Sequence, residues 1–269
     1  MTSSLVGRTV VLTGASSGIG AEAARKLARL GASVCLLARR ESELEDVAGE
    51  IRFGGGEAHT YAVDLSDPAA TSDVAAHLLA DHPRIDVLIN NAARSIRRPV
   101  VESVDRLHDY ERTMAINYFG AVGLTLGLVP RFLEQGHGHV VISSSMSTQP
   151  PIPLFSAYLA SKSALESFTR SLSAELGSDG VSTTTVYFPM VRTEMSGRTD
   201  IYQAMPMLSA DRAATWLVKA VVDRPTRVTS LQGAAAELGM ATVPGVLTAG
   251  LRPLFRRMDR TLARRTGRT

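Results

Sequence analysis

Short apolar runs alternate along this chain with longer stretches of helical period, and that alternation restricts the available folds more than any other feature. The runs are RTVVLT, ASVCLLA, AHTYAVD, IDVLIN, HVVISS, STTTVYF and TRVTSL. Most are continuously apolar, as parallel strands covered on both faces are. Segments of helical period lie between them, over residues 20–30, 68–81, 104–132, 155–176 and 209–222. Strand, helix and strand in succession make a βαβ unit. The pattern therefore predicts an α/β chain: one doubly wound domain over 1–269, with a central, mostly parallel seven-stranded sheet and helices on both faces. Right-handed crossovers bring the loops that follow the strands to one edge, where ligands bind.

Composition narrows the function classes. The single cysteine, Cys35, excludes an intramolecular disulfide and a cysteine-rich metal site, and within ASVCLLA it reads as a small core residue. No metal is expected. The first strand begins within the first ten residues, which leaves no room for a signal peptide and makes the cytoplasm the expected compartment. Net charge is +3, but residues 251–269 hold seven arginines and one aspartate, so the body of the chain is net acidic. The basic balance belongs to the tail, and no nucleic-acid partner is expected.

After Pro189 the periodicity loosens. Residues of about 190–208 read as a lid loop over the site, and its methionines, Met190, Met195, Met205 and Met207, either line an adaptable apolar pocket or pin the lid to the body. Residues 233–251 are largely apolar with one acid, Glu237, but Pro244 and the glycines argue against a membrane span. Leu251, Leu254, Phe255, Met258 and Leu262 then recur at helical spacing among arginines. Such a helix either lies on an anionic membrane surface as a peripheral contact or packs on the body or a second subunit.

Two motifs carry chemistry. TGASSGIG follows the first strand and opens the first helix; Gly14, Gly18 and Gly20 let the backbone turn tightly and approach a pyrophosphate drawn to the helix N-terminus. A plain strand–helix turn is the other reading of a glycine cluster. Further on, YLASK places Tyr158 and Lys162 at i and i+4, on one face of a helix. A free tyrosine titrates near ~10, and a neighbouring ammonium lowers that value, so the pair suits proton transfer in the neutral range.

The spacing Gly-x-x-x-Gly-x-Gly, NNAA at 90–93, Asn117 in the middle helix and YLASK occur in the order found in short-chain dehydrogenases/reductases, which this chain resembles over roughly 7–195. The resemblance implies a Rossmann-type fold and a homo-oligomer. It also implies a cofactor cradle of Gly14, Ser16, Ser17, Gly18, Ile19 and Gly20, adenine contacts from Asp64 and Leu65, a ribose contact from Asn91, and nicotinamide contacts from Val191 and Thr193. Relatives that prefer NAD place an acid after the second strand; here Arg39 and Arg40 stand there, which favours NADP(H). Tyr158 is then the proton donor, Lys162 holds the nicotinamide ribose, Asn117 holds a water, and a serine stabilises the reacting oxygen. The serine of the family closes the fifth strand as the second of a pair, which selects Ser144, yet it also lies thirteen residues before the tyrosine, which selects Ser145. Strand ends vary less than loop lengths, so Ser144 is preferred, with Ser143 facing the sheet interior.

For the substrate, the stretch from FPMVRTEM to LSADRAATWLVKAVVDRP resembles bacterial short-chain reductases that act on long-chain fatty acyl groups. Part of that likeness is helix grammar, with Ser209 as N-cap and Asp211 in the first turn. The expectation is an NADPH-dependent oxidoreductase acting on a carbonyl or alcohol of a small, hydrophobic, lipid-like molecule. The alternatives are a non-catalytic NADP-binding regulator, and an NADP-bound isomerase or dehydratase.

Overall fold

The computed structural model describes residues 4–150, 152–197, 207–250 and 253. Strand β1 (Thr9–Thr13) leads into α1 (Gly18–Arg29), followed by β2 (Ser33–Ala38), α2 (Glu41–Phe53), β3 (Glu57–Ala62), α3 (Pro68–Asp81) and β4 (Val87–Asn90). Next come α4 (Leu107–Met114), α5 (Ala121–Gln135), β5 (Gly138–Ser145), α6 (Ser156–Leu176) and β6 (Val181–Phe188). The remaining described elements are β7 (Val191–Arg192), α7 (Glu194–Gly197), β8 (Leu208–Ser209), α8 (Ala210–Asp223), β9 (Arg227–Val228) and α9 (Leu231–Thr242). Seven strands form one sheet in the order β3-β2-β1-β4-β5-β6-β9, and each neighbouring pair is parallel. The expected α/β architecture is present, with the sheet parallel throughout.

Strand pleating divides the core. Val10, Leu12, Val34, Leu36, Val141 and Val186 point to the face covered by α1, α2 and α8, whereas Val11, Cys35, Leu37, Leu88, Val140 and Ile142 point to the face covered by α3, α5 and α6. Successive residues serve opposite layers, which is why the strand runs are apolar without a break. Phe132 is fully buried and lies where a side chain at Gly138 would sit; Phe132→Ala would cost about 3–5 kcal/mol. Cys35 is buried as expected, with Sγ 3.2 Å from His82 Nε2, and burial pushes its thiol up to about 12.

Side chains cap the first turns of two helices, the second at the serine singled out from the sequence. Asp67 accepts from the backbone N–H groups of Ala69 and Ala70 ahead of Pro68, and Ser209 accepts from Arg212 N at 3.3 Å as the cap of α8.

Three features depart from the sequence reading. Helix α2 is an addition. The long helix expected over 104–132 starts at Leu107 and is interrupted by a π turn, Ala115–Gly120, where Gly120 leaves room for the Leu65 carbonyl. The apolar stretch after 233 is helical, as α9 and then residues 244–250. Of the lid, β7 and β8 pair in parallel around α7; Met205 and the basic tail, Pro253 apart, lie outside the described residues.

Candidate active site

The strand order reverses between β1 and β4, so the loops after these two strands diverge and leave a crevice at the carboxyl edge of the sheet. The glycine turn after β1 forms one wall. Gly14 has φ +67°, and a Cβ there would lie 2.9 Å from Ala92 Cα, while one on Gly20 would strike the Gly14 carbonyl. A larger residue at either position closes the turn. Gly18 has φ +56° and faces Thr193 Cγ2, so the glycine turn and the segment after β7 approach each other. No side chain caps α1, and its first-turn N–H groups stay open to an anion.

Of the two arginines after β2, Arg40 reaches this wall and Arg39 stands beside it at Asp64. Arg40 Nη2 donates to Ser17 Oγ at 3.3 Å, and its guanidinium also meets Glu43 at 3.2 Å and Glu194 at 3.7 Å. Arg39 stands 3.9 Å from Asp64. Burial of Asp64 raises its pKa, but hydrogen bonds from the Ser66 hydroxyl and N–H, and the Arg39 charge, outweigh this and hold the carboxyl below its usual range. Leu65 is buried with its carbonyl against Gly120, Val191 is buried, Ile19 packs on the core and Ser16 is partly exposed. Two guanidiniums, a hydroxyl and open N–H groups at and beside one wall fit a dinucleotide that carries an additional phosphate.

Asn91 locks the strand ends together. Its Nδ2 donates to the Thr13 and Gly14 carbonyls at 3.1 and 3.4 Å, and its Oδ1 accepts from Ser143 Oγ at 3.1 Å. Asn117, fully buried in the π turn, works as a second lock. Its Oδ1 accepts from Arg94 N at 2.7 Å, and its Nδ2 donates to Arg94 O and Ser161 Oγ, both at 2.9 Å. Both Nδ2 hydrogens are thus engaged, and only a lone pair on Oδ1 remains in that amide for a water.

Tyr158 and Lys162 share the face of α6 turned to the end of β5. Of the two candidate serines, Ser145 is the one whose side chain acts on the Tyr158 phenol, lowering its pKa; its Oγ also accepts from Ser147 N at 3.1 Å. Ser144 Oγ instead donates to Glu166 Oε1 on α6 in a short bond. The serine preferred from the sequence is thus engaged with Glu166, and strand register accounts for that. Strand β5 runs on to Ser145, which pairs with Phe188, and alternation puts Ser144 on the face of Ile142, the one covered by α6, where its hydroxyl meets Glu166. Ser143 faces inward as expected, toward Asn91.

Lys162 is 2 % exposed and its Nζ donates to the Ser143 carbonyl at 2.7 Å. Burial pulls its pKa down to about 8, against the opposing pull of Glu166. Tyr158 moves the other way from the sequence expectation. Burial, reinforced by the Glu166 charge, pushes the phenol up to about 12, and the Ser145 hydrogen bond counters only part of this.

Comparison with known proteins decides the family. Residues 8–203 match the family model described as short chain dehydrogenase. The chain belongs to that family. This short-chain dehydrogenase is 44% identical over 240 residues to a fatty acyl-CoA reductase of Acinetobacter baylyi, a match covering 89% of the chain and 81% of the relative. It is also 44% identical over 225 residues to a fatty acyl-CoA reductase of Mycobacterium tuberculosis, covering 83% and 76% of the two. A metagenomic short-chain oxidoreductase solved in complex with NADP superposes with a TM-score of 0.71 at 31% identity, over 84% of this chain and 99% of that one. As a member of this family the protein is an oxidoreductase.

The sequence reading of this short-chain dehydrogenase passed over Glu166. Its signal was available: 158, 162 and 166 form one helical stripe, and an acid in a stripe that must be buried calls for an explanation.

Proposed function

We propose that this protein uses NADPH to reduce the carbonyl of a long-chain fatty acyl thioester. The observation that carries the reading is the meeting of Ser145 and Tyr158 at the carboxyl edge of the sheet, beside a cradle flanked by Arg39 and Arg40. The fatty acyl-CoA reductase names of two relatives support the acyl substrate. Gly14, Gly18 and Gly20 hold the pyrophosphate, Arg39 and Arg40 with Ser17 hold the 2′-phosphate, Asp64 and Leu65 frame the adenine, and Asn91, Val191, Thr193 and Lys162 hold the nicotinamide end.

The bound nicotinamide supplies a hydride to the carbonyl carbon. Ser145 donates a hydrogen bond to the carbonyl oxygen and stabilises its growing negative charge. Tyr158, whose pKa lies well above neutral, gives its proton to that oxygen. The resulting hemithioacetal breaks its C–S bond, releasing a thiol and an aldehyde. Lys162 keeps a positive charge beneath the site, and Asn117 holds α6 against the loop after β4. An isomerase or a regulator needs no such net consumption of reductant.

The test follows loss of reduced-nicotinamide absorbance with ketones, aldehydes and acyl thioesters graded by chain length. Turnover rising with acyl length is expected; a flat response removes the lipid substrate, and faster oxidation of NADH than NADPH removes the cofactor assignment. Exposed Leu107, Phe119 and Leu126 along α4, the π turn and α5 support a homo-oligomer, which sedimentation measures. Exposed Leu231, Leu238, Val243 and Val246 support a lipid contact at the C-terminal end. Co-sedimentation with anionic vesicles, lost on deleting 251–269, is the expected result for that contact.

A further inference from the structure

Glu166 is buried on α6, one turn beyond Lys162 and two beyond Tyr158. Its two oxygens have different partners: Oε1 accepts from the Ser144 hydroxyl and Oε2 from the Tyr187 hydroxyl at 3.4 Å. Two O–H donors on separate oxygens are what an ionised carboxylate accepts. The basic groups around it are otherwise engaged. Arg227 on β9 lies over the Tyr187 ring at 4.5 Å and pairs with Glu237 on α9, and Arg170 is an exposed residue of α6 itself. Lys162, for its part, is buried with only a neutral carbonyl as its hydrogen-bond acceptor among the described residues. A buried ammonium needs a counter-charge or it loses its proton. The carboxylate acting on Lys162 is Glu166.

We propose that Glu166 is a positioning residue of the reaction: it is the counter-charge that keeps Lys162 an ammonium, and through Ser144 it holds the end of β5 so that Ser145 meets Tyr158. The proposal rests on the reading of Tyr158 and Lys162 given above. Consecutive serines divide the work, Ser144 tethered inward to α6 and Ser145 acting on the Tyr158 phenol.

The charge has a definite sign at both neighbours. Glu166 raises the pKa of Lys162 against its burial, and it adds to burial in raising that of Tyr158. Removing it lowers both values. The groups facing this cluster are Tyr158, Lys162 and Arg170 on α6, Ser144 and Ser145 on β5, Tyr187 on β6, Arg227 on β9 and Glu237 on α9. Reduction requires a protonated Tyr158 and a charged Lys162, so its alkaline limb shifts to lower pH when the carboxylate is neutralised.

The experiment is the pH profile of kcat/KM for NADPH-dependent reduction of a long-chain acyl thioester by the full chain, comparing wild type with Glu166→Gln, Glu166→Met and Glu166→Asp. Tyr158→Phe is run in parallel. In the two neutral variants the alkaline limb moves down by about one pH unit, mostly in kcat, while Glu166→Asp, which keeps the charge, stays closer to wild type. Glu166→Met requires no hydrogen bond and reads the same loss of charge should Glu166→Gln fail to fold. Labelled-tyrosine NMR of Tyr158 gives the shift without turnover. Superimposable profiles, or equal activity loss in all three variants with no displacement of the limb, overturn the proposal while an inactive Tyr158→Phe leaves the catalytic reading intact. Full turnover by Tyr158→Phe overturns both.

Discussion

The two walls of the crevice are built from different materials. The cofactor wall is backbone and surface: three glycines, open N–H groups and two arginines that remain well exposed. The wall across β5 and α6 holds buried polar side chains, each hydrogen-bonded within the protein: Ser144, Lys162, Glu166 and Asn117. Exposed charges are screened and tune binding with little effect on stability. Buried polar groups feel a low dielectric, so each alters the proton affinity of the next and most are also needed for packing. Mutations on the first wall should alter which cofactor binds; mutations on the second should alter whether and at what pH a proton moves.

The largest expected effect is on the buried wall. Tyr158→Phe should cut turnover by about 10²–10⁴-fold while NADPH binding, followed by fluorescence titration, stays near wild type. Loss of cofactor affinity of the same size would erase the contrast between the walls. Next, Ser145→Ala should lower kcat by roughly 10²–10³-fold, and Ser144→Ala, whose partner is Glu166, by much less. The reverse order in steady-state kinetics would return the catalytic role to Ser144.

A third prediction uses the far end of β5, where the same burial acts without catalysis. His139 is fully buried and bonded to Ser182 Oγ and the Ala220 carbonyl, and burial, then the Arg224 charge, lowers its pKa from 6.5 to about 4. The folded state therefore holds fewer protons than the unfolded state between those values. Its stabilising contribution is complete above about 6.5 and is lost as pH falls toward 4, amounting to roughly 3 kcal/mol. Thermal unfolding from pH 7 to pH 4 should show this loss, and a His139→Gln variant should show a flatter dependence. The smallest effect belongs to the exposed wall: Arg40→Ala should weaken NADPH binding about tenfold, as expected for a lost charge-assisted hydrogen bond, and shift the melting temperature little. A large drop in stability would mean that Arg40 belongs to the structural framework instead.

Much of the fold was legible because strand and helix periods are local. The continuously apolar runs had to be covered strands, and Ser209 announced a helix start in its own neighbourhood. Cys35 reads correctly as core for the same reason. The stations of the candidate site were equally visible, since Tyr158 and Lys162 need only one helix to share a face. Less legible was the π turn at Ala115–Gly120, which exists because Gly120 meets Leu65 and Asn117 meets Arg94, contacts between distant parts of the chain.

The sequence by itself determined the layered α/β architecture, the glycine turn, the two arginines after β2 and the helical stripe bearing Tyr158 and Lys162. Only the tertiary structure decided that Ser144 is tied to Glu166, which direction the tyrosine and lysine pKa values move, and that Glu166 stands behind both. Periodicity and chain spacing operate within a single element. Register, burial and the reach of a charge depend on which elements pack together, and a one-residue difference in where β5 ends exchanges the inward serine for the outward one.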